Sequence, residues 1–253
     1  GTRRVKALVV GSGGAAVTKR RVCPCLYLDS GLLVDCGPGS LKNLLLLGVD
    51  LLSIDAVLIT HYHADHVSDF VPLLWAMQLA GRESKLKVLG PSGLKKFAYT
   101  MLSATYTPKG FFEYEVELVE ISSAGGFVME GVEAFPTKHS ITNLAYRFFE
   151  EGCSLFYTGD TAYFEQLADF AKGCDVLLHE AVFLSADEWL AELTMHSTAA
   201  QAGKTARDAS VEELLLFHFS PQHEHLEQRY IEEASQHFVG KVRACFDGLE
   251  VRL

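Results

Sequence analysis

The sequence predicts an α+β fold in which two β-sheets pack face to face and helices cover their outer surfaces. Short apolar runs of strand length alternate with stretches of helical periodicity. Glycine-containing turns separate neighbouring apolar runs, as in hairpins. No Pro/Ser-rich linker or low-complexity tract divides the chain. Residues 1–253 are therefore expected to form a single domain.

The predicted elements form two passages of similar pattern. In the first passage, strands are expected at residues 5–10, 26–28, 32–34 and 56–59, with a helix at 41–47. In the second passage, strands are expected at 132–135, 145–149, 154–157, 176–178 and 214–217, with helices at 163–172, 197–208 and 226–238. The repeated alternation of strands and helices is what favours two sheets with helices outside.

The charge balance limits the classes of partner. The chain has 32 Asp and Glu residues against 22 Lys and Arg residues, a formal net charge of −10. This balance argues against a broad basic surface for nucleic acid, although a local basic patch is compatible with it. Apolar runs such as residues 44–47 are far too short to cross a bilayer, so no membrane partner is expected.

The cysteine content indicates free thiols. A chain of this length does not need disulfides for stability, and its first residues show no secretory pattern, so a cytoplasmic protein is expected. Cys23-Pro24-Cys25 offers an alternative, an additional structural zinc site, but no second cysteine pair at suitable spacing is evident. The six cysteines are Cys23, Cys25, Cys36, Cys153, Cys174 and Cys245.

A dense run of potential metal ligands follows the apolar strand expected at residues 56–59. His61 and His63 are two residues apart on an extended segment, so their side chains point the same way and can hold one ion. Asp65 and His66 follow a turn and are expected to face a second ion. Imidazole with carboxylate suits two divalent ions, with zinc preferred and manganese or iron as alternatives. The competing interpretation is a histidine-rich surface loop.

Three further candidate ligands each follow a predicted strand. They are His139, Asp160 and His218. Polar residues at strand ends converge on one rim of a sheet. A single histidine of this kind would more often be structural, but together the three residues complete two coordination spheres. Asp160 has one oxygen for each ion and would bridge them.

This ligand set resembles the full signature of the metallo-β-lactamase superfamily. The resemblance implies a four-layer αββα sandwich over essentially the whole chain. It also implies one ion held by His61, His63 and His139, and a second ion held by Asp65, His66 and His218. The bridging residue is Asp160 rather than cysteine, which resembles the phosphodiesterase and thioesterase branches.

Two further segments resemble the ribonuclease Z branch. They are residues 179–183 (HEAVF) and 196–202 (HSTAAQA). The resemblance implies that Glu180 and His196 pass a proton to the leaving 3′ oxygen, which departs poorly as an alkoxide. It further implies that Asp65 orients the nucleophile, a hydroxide between the ions, and that the protein is a homodimer. The alternatives are that Glu180 only orients a histidine ligand and that His196 is a helix N-terminal residue without catalytic duty.

One departure from the ribonuclease Z pattern bears on the substrate. Relatives of that branch carry a long tRNA-gripping arm between the positions of His139 and Asp160, where this chain has only twenty residues. We therefore expect a metal-dependent phosphodiesterase acting on RNA 3′ ends or on small or cyclic nucleotide diesters. The alternative is a thioesterase or lactonase, which would keep the metals but would not need Glu180 and His196.

A glycine-rich loop near the start of the chain is a weaker candidate site. Residues 11–14 (GSGG) leave the first predicted strand, and residues 19–21 (KRR) follow. Backbone amides and cations in such a loop are suited to holding a substrate phosphate. A tight turn with solvated charges is the alternative interpretation.

Overall fold

Two seven-stranded β-sheets lie face to face in a computed structural model that describes residues 6–252. The first sheet has the spatial order β14-β1-β2-β3-β4-β5-β6 and consists of β1 (Lys6–Gly11), β2 (Cys25–Leu28), β3 (Leu32–Val34), β4 (Ala56–Leu58), β5 (Leu86–Pro91), β6 (Val116–Ile121) and β14 (Leu249–Arg252). The second has the order β13-β12-β11-β10-β9-β8-β7 and consists of β7 (Gly126–Met129), β8 (Val132–Pro136), β9 (Leu144–Glu150), β10 (Cys153–Tyr157), β11 (Val176–Glu180), β12 (Glu213–Phe217) and β13 (Lys241–Ala244).

Helices cover the outer face of each sheet. On the first sheet they are α1 (Ser40–Leu46), α2 (Ala64–Val67), α3 (Phe70–Leu79) and α4 (Leu94–Ala104). On the second sheet they are α5 (Gln166–Phe170), α6 (Glu188–Thr194), α7 (Ala199–Ala209) and α8 (Glu227–Ser235). Short 3-10 turns occur at Leu51–Ser53 and Ser185–Asp187. Among the described residues, no helix combines the length and apolarity that crossing a membrane requires.

Three apolar clusters correspond to the three interfaces between the four layers. The central cluster joins inward side chains of both sheets, for example Val9 and Leu58 from the first and Tyr157 and Phe217 from the second. The other two clusters lie between each sheet and its helices. Strands alternate their side chains between two faces, so strands buried on both faces are apolar throughout, as β4 is. The predicted αββα sandwich is confirmed.

The strands and helices predicted from the sequence are present, with modest shifts at their ends. Val5, at the start of the first predicted strand, lies outside the described residues. The predicted helix 163–172 is shorter, at Gln166–Phe170. The pattern missed α3, because five of its ten residues are buried and it has no polar face to reveal a helical period. Pro72 fits α3 because it lies in the first turn, where the backbone N–H has no helical partner.

Candidate metal centre

The loop after β4 brings two imidazoles together with a third from the second sheet. His61 Nε2 and His139 Nε2 lie 3.1 Å from the same atom, Nδ1 of His63. Oδ2 of Asp160 lies 3.3 Å from His61 Nε2 and 3.6 Å from His139 Nε2. These four donor atoms form one compact group, with the composition predicted for the first ion.

A second group of donors lies beside the first and shares Asp160 with it. Nε2 of His66 lies 3.2 Å from Nε2 of His218, and Oδ2 of Asp65 lies 3.2 Å from His218 Nε2. Oδ1 of Asp160 lies 3.1 Å from His66 and 3.2 Å from His218. One carboxylate oxygen of Asp160 therefore faces each group.

The donor geometry fits two tetrahedral ions. Ligands about 2.0–2.1 Å from a tetrahedral ion lie about 3.3 Å from one another, close to the separations in both groups. Nδ1 of His66 bonds Asp35 and Nδ1 of His139 bonds a carbonyl oxygen, so the Nε2 lone pairs of these imidazoles face the centre. Oδ1 of Asp160 is buried and has no hydrogen-bond donor among the described residues. Facing lone pairs and a buried unpaired oxygen repel one another unless a cation lies between them.

The charge states of most of the donors also fit cations. Burial lowers the pKa values of His61, His63 and His139, so these imidazoles are neutral and their lone pairs are free. The carboxylates of Asp160 and Asp35 raise the pKa of His66 in spite of burial, and a bound ion would displace its proton. Burial alone would raise the pKa of Asp160, but the neighbouring imidazoles, His218 and His66 first, hold it well below its usual range. Neutral imidazoles and ionised carboxylates are the forms that bind divalent ions.

Asp35 supports this centre and was not anticipated from the sequence. Its Oδ2 accepts a 2.7 Å hydrogen bond from Nδ1 of His66, and its Oδ1 accepts a 2.8 Å hydrogen bond from the backbone N–H of Thr60. The Thr60 hydroxyl lies 3.0 Å from Nδ1 of His61, so Asp35 orients ligands of both groups. Asp35 directly follows β3, and that position after a strand was the signal that the sequence offered.

His218 is held by the glycine-rich loop. Its backbone has φ +66°, an uncommon conformation for a residue with a side chain, and its N–H donates to the carbonyl oxygen of Ser12 at 3.0 Å. Asp247 fixes Ser12 by accepting hydrogen bonds from its N–H (2.9 Å) and its hydroxyl (2.8 Å). A Cβ atom at Gly14 would lie 2.5 Å from the carbonyl oxygen of Phe219. The loop therefore requires glycine at this position, where it passes the centre.

The phosphate-binding role considered for this loop is wrong for most of its groups. Arg21 is buried and bonds Glu227, the carbonyl of Glu224 and the carbonyl of Cys245. Arg20 pairs with Glu227 at 2.9 Å. The amides of Ser12 and Gly13 donate to Asp247 and to the carbonyl of Val22. These groups therefore stabilise the loop that holds His218 and are not free to bind a phosphate.

Glu180 and His196 form a buried ion pair at the edge of the centre. Oε1 of Glu180 accepts hydrogen bonds from Nδ1 of His196 at 2.7 Å and from the N–H of Thr161 at 2.9 Å. Oε2 accepts from the N–H of Ser197 at 3.0 Å. The His196 ring centroid lies 5.1 Å from that of His139 and 5.5 Å from that of His218. Glu180 therefore holds His196 against both ligand groups.

The ion pair fixes the charge of His196. Burial alone would lower the pKa of His196, but the charge of Glu180 and its hydrogen bond raise it to about 9. The same contact keeps the pKa of Glu180 below its usual value in spite of burial. His196 is therefore a cation at neutral pH. A helix cap follows it in the chain, since Thr198 and Gln201 form a capping box at the start of α7.

The Cys23–Cys25 segment offers no metal site. Both thiols are buried and free, and burial raises the pKa of Cys23 to about 12, whereas a zinc ligand must be a thiolate. Within residues 6–252, no group of metal-binding side chains includes a cysteine.

The fold and the site define a superfamily. Residues 31–219 match the family described as Beta-lactamase superfamily domain. The match covers most of the chain, and the chain belongs to this superfamily.

The most similar relatives share one enzyme name. The chain is 28% identical to the ribonuclease Z of Ignicoccus hospitalis over 287 aligned positions, covering 93% of this chain and 94% of the relative. It is 26% identical to the ribonuclease Z of Methanosarcina mazei, covering 87% and 88% of the two chains. The first alignment is longer than this chain of 253 residues, so the relative carries inserted residues that this chain lacks.

Solved structures share the fold. The metallo-β-lactamase fold protein YhfI from Bacillus subtilis superposes with a TM-score of 0.85 at 24% identity, covering 99% of this chain and 100% of that one. Human tRNase Z, short form, superposes with a TM-score of 0.78 at 23% identity, covering 97% and 98%. The predicted metallo-β-lactamase fold is confirmed.

Proposed function

We propose that this protein is a metal-dependent phosphodiesterase of the ribonuclease Z type. The observation that carries the proposal is the Glu180–His196 ion pair beside two groups of metal-binding side chains that share Asp160. A diester whose leaving group is an alkoxide needs a proton donor as well as an activated water. Relatives that are named ribonuclease Z, and that align with most of this chain, support the same activity.

The proposed metal ligands are the seven residues predicted from the sequence. Two divalent ions would supply a hydroxide at neutral pH and would offset negative charge on the phosphate. Zinc is the proposed metal, because three imidazoles and a carboxylate at tetrahedral spacing suit it. The residues are His61, His63 and His139 for one ion, Asp65, His66 and His218 for the other, and Asp160 for both.

Three side chains are proposed to donate the proton, to position the proton donor and to orient the attacking water. His196 is proposed to donate its Nε2 proton to the leaving oxygen. Glu180 is proposed to keep that imidazole charged and to fix its orientation through Nδ1, since its oxygens already accept hydrogen bonds from His196, Thr161 and Ser197. The Asp65 side chain is 12% exposed, and it is proposed to orient the attacking water as well as to bind an ion.

The substrate is proposed to be a small nucleotide diester or an RNA 3′ end. The segment between His139 and Asp160 is mainly the hairpin of β9 and β10, so the arm expected of tRNA-binding relatives is absent there. A cavity of about 450 Å³ opens beside His139 and has neutral lining side chains, including Ser140 and Asn143. We also propose a cytoplasmic homodimer in which residues 1–253 act as one domain.

A substrate panel tests the proposed activity. The zinc-loaded protein is assayed on bis(p-nitrophenyl) phosphate, a dinucleotide, a precursor tRNA, a thioester and a lactone. We expect the phosphodiesters to be strongly preferred, because two divalent ions would offset the charge on the phosphate and His196 would protonate the leaving alkoxide. Efficient hydrolysis of the thioester or lactone with no diesterase activity would overturn the proposal.

Asp160→Asn tests the metal assignment in the same experiment. It removes charge from both ligand groups, so bound metal should fall well below two equivalents per chain and diesterase activity should disappear. Asp208→Asn, an exposed position on α7, is the matched control and should retain both. Two equivalents of metal in Asp160→Asn would contradict the bridging role.

A further inference from the structure

Met195 adopts a backbone conformation that favours glycine. It ends α6 with φ +57° and ψ +48°, the left-handed region in which a side chain crowds the backbone. Its carbonyl oxygen accepts the hydrogen bond from Nδ1 of His139 at 3.0 Å, so this conformation directs the main chain toward the metal centre. Glycine would provide the same carbonyl with less strain. The side chain is therefore present in spite of a conformational cost, as occurs at functional sites.

Phe183, which lies near His196 in space, and Met195, which precedes it in the chain, have apolar side chains without a place in the core. Met195 precedes His196 in the chain, and the Phe183 ring centroid lies 6.4 Å from that of His196. Both side chains are half-buried, and neither packs against any of the three apolar clusters formed by the described residues. The main chain of Phe183 is fixed by hydrogen bonds with Ser197 and Ala199. The Phe183 ring is thus held near His196, and the Met195 main chain is held at the metal centre by its contact with His139.

We infer that Phe183 and Met195 form the binding surface for the leaving alcohol, and that this alcohol carries a flat ring such as a nucleobase. The inference rests on the proposed function, since the oxygen that receives the His196 proton belongs to the leaving alcohol. That alcohol must therefore contact side chains around His196. A phenyl ring and a thioether pack well on the flat face of a base, and they offer a small polar alcohol no hydrogen bond.

Charges near this surface restrict the leaving alcohol further. Residues 185–194, which follow Phe183 and lead to Met195, contain three carboxylates and no lysine or arginine. They are Asp187, Glu188 and Glu192. Carboxylates repel a chain of phosphates, and the repulsion is strong over distances below about 8–10 Å at physiological salt. The surface therefore suits a neutral nucleoside better than a polynucleotide.

Two substrates that differ only in the leaving alcohol test the inference. Thymidylyl-3′,5′-thymidine releases the 3′ oxygen of thymidine, whereas thymidine 5′-methyl phosphate releases methanol from the same phosphate. Both leaving groups need a proton, so both depend on His196. Met195→Gly keeps the carbonyl that holds His139, and Phe183→Leu keeps an apolar side chain without a flat ring. Ser210→Gly is the matched control, because Ser210 has φ +55° at the end of α7.

The expected result is a change of specificity. Met195→Gly and Phe183→Leu should each lower kcat/KM on the dinucleotide at least about fivefold more than on the methyl ester, as stacking energies of bases on side chains imply. Ser210→Gly should leave the ratio of the two kcat/KM values unchanged. Met195→Gly and Ser210→Gly should both melt at or above the temperature of the unchanged protein, because each relieves left-handed strain. Met195→Gly and Phe183→Leu, but not Ser210→Gly, should also weaken inhibition by free thymidine, which reports binding without turnover.

The failures of the two proposals are distinguishable. An unchanged ratio of kcat/KM for the two substrates in both variants would overturn this inference and leave the diesterase intact. Loss of folded protein or of bound metal in Met195→Gly would show that its side chain is structural, and Phe183→Leu would then decide the nucleobase assignment. Failure of the unchanged protein to cleave bis(p-nitrophenyl) phosphate would overturn the proposed function, and this inference with it.

Discussion

Oε1 of Glu180 accepts a 2.7 Å hydrogen bond from Nδ1 of His196, and Glu180 has no exposed surface. The carboxylate also accepts hydrogen bonds from the N–H groups of Thr161 and Ser197. Thr161 follows Asp160 and Ser197 follows His196, so Glu180 connects the two segments. His196, the proposed proton donor, is thus positioned relative to Asp160, the proposed bridging ligand, through a single side chain.

His196→Ala should affect substrates according to their leaving group. General acid catalysis contributes about 10²–10⁴-fold, so activity on a dinucleotide should fall by roughly that factor. Activity on bis(p-nitrophenyl) phosphate should fall much less, since p-nitrophenolate leaves without a proton. Steady-state kinetics and metal analysis check this prediction, with metal content expected to remain unchanged. Equal losses on both substrates would make His196 a structural residue.

Glu180→Gln should narrow the pH range of activity on the basic side. His196 acts as an acid only while protonated, so activity on a dinucleotide should decline as pH rises through its pKa of about 9. Removal of the Glu180 charge lowers that pKa, and the decline should therefore begin at lower pH. The pH profile of kcat/KM measures the shift. A profile that does not move would separate Glu180 from the ionisation of His196.

Asp35→Asn should weaken metal binding without removing a ligand. Loss of a carboxylate that orients metal-binding histidines typically costs about 10–100-fold in metal affinity or activity. Competition with a chelator measures the affinity, and excess zinc should restore much of the activity. Asp208→Asn again serves as the control. Unchanged affinity in Asp35→Asn would mean that Thr60 and the main chain suffice to orient His61 and His66.

Precursor tRNA should be a poorer substrate than a dinucleotide. The short hairpin of β9 and β10 offers no arm, and the net charge of −10 disfavours a long polyanion. Binding and cleavage are measured at several salt concentrations. Tight, salt-sensitive binding with efficient 3′ cleavage would show that another surface grips the tRNA.

Sequence patterns predicted which side chains come together at this site better than they predicted the contacts that position them. The proposed ligands from His61 to His218 were identifiable because the segments that carry them follow apolar strands, and the fold brings those strand ends together. The ion pairs of Arg20 and Arg21 could not be predicted from the sequence, because their partners, Glu224 and Glu227, lie about two hundred residues away in the chain. The left-handed conformation of Met195 was equally hidden, since its residue type gives no sign of it.

Because Ser12 contacts Asp247, the metal centre can be completed only after almost the whole chain has been synthesised. The two residues are 235 positions apart, yet Ser12 supplies the carbonyl that holds His218. At about 5–20 residues per second, residue 247 is made roughly 10–50 s after residue 12. A nascent chain can therefore form the strand ends that bear the other ligands well before the loop beside His218 is fixed. Ribosome-bound chains that stop short of Asp247 should therefore lack the contact that fixes Ser12 and, through Ser12, His218.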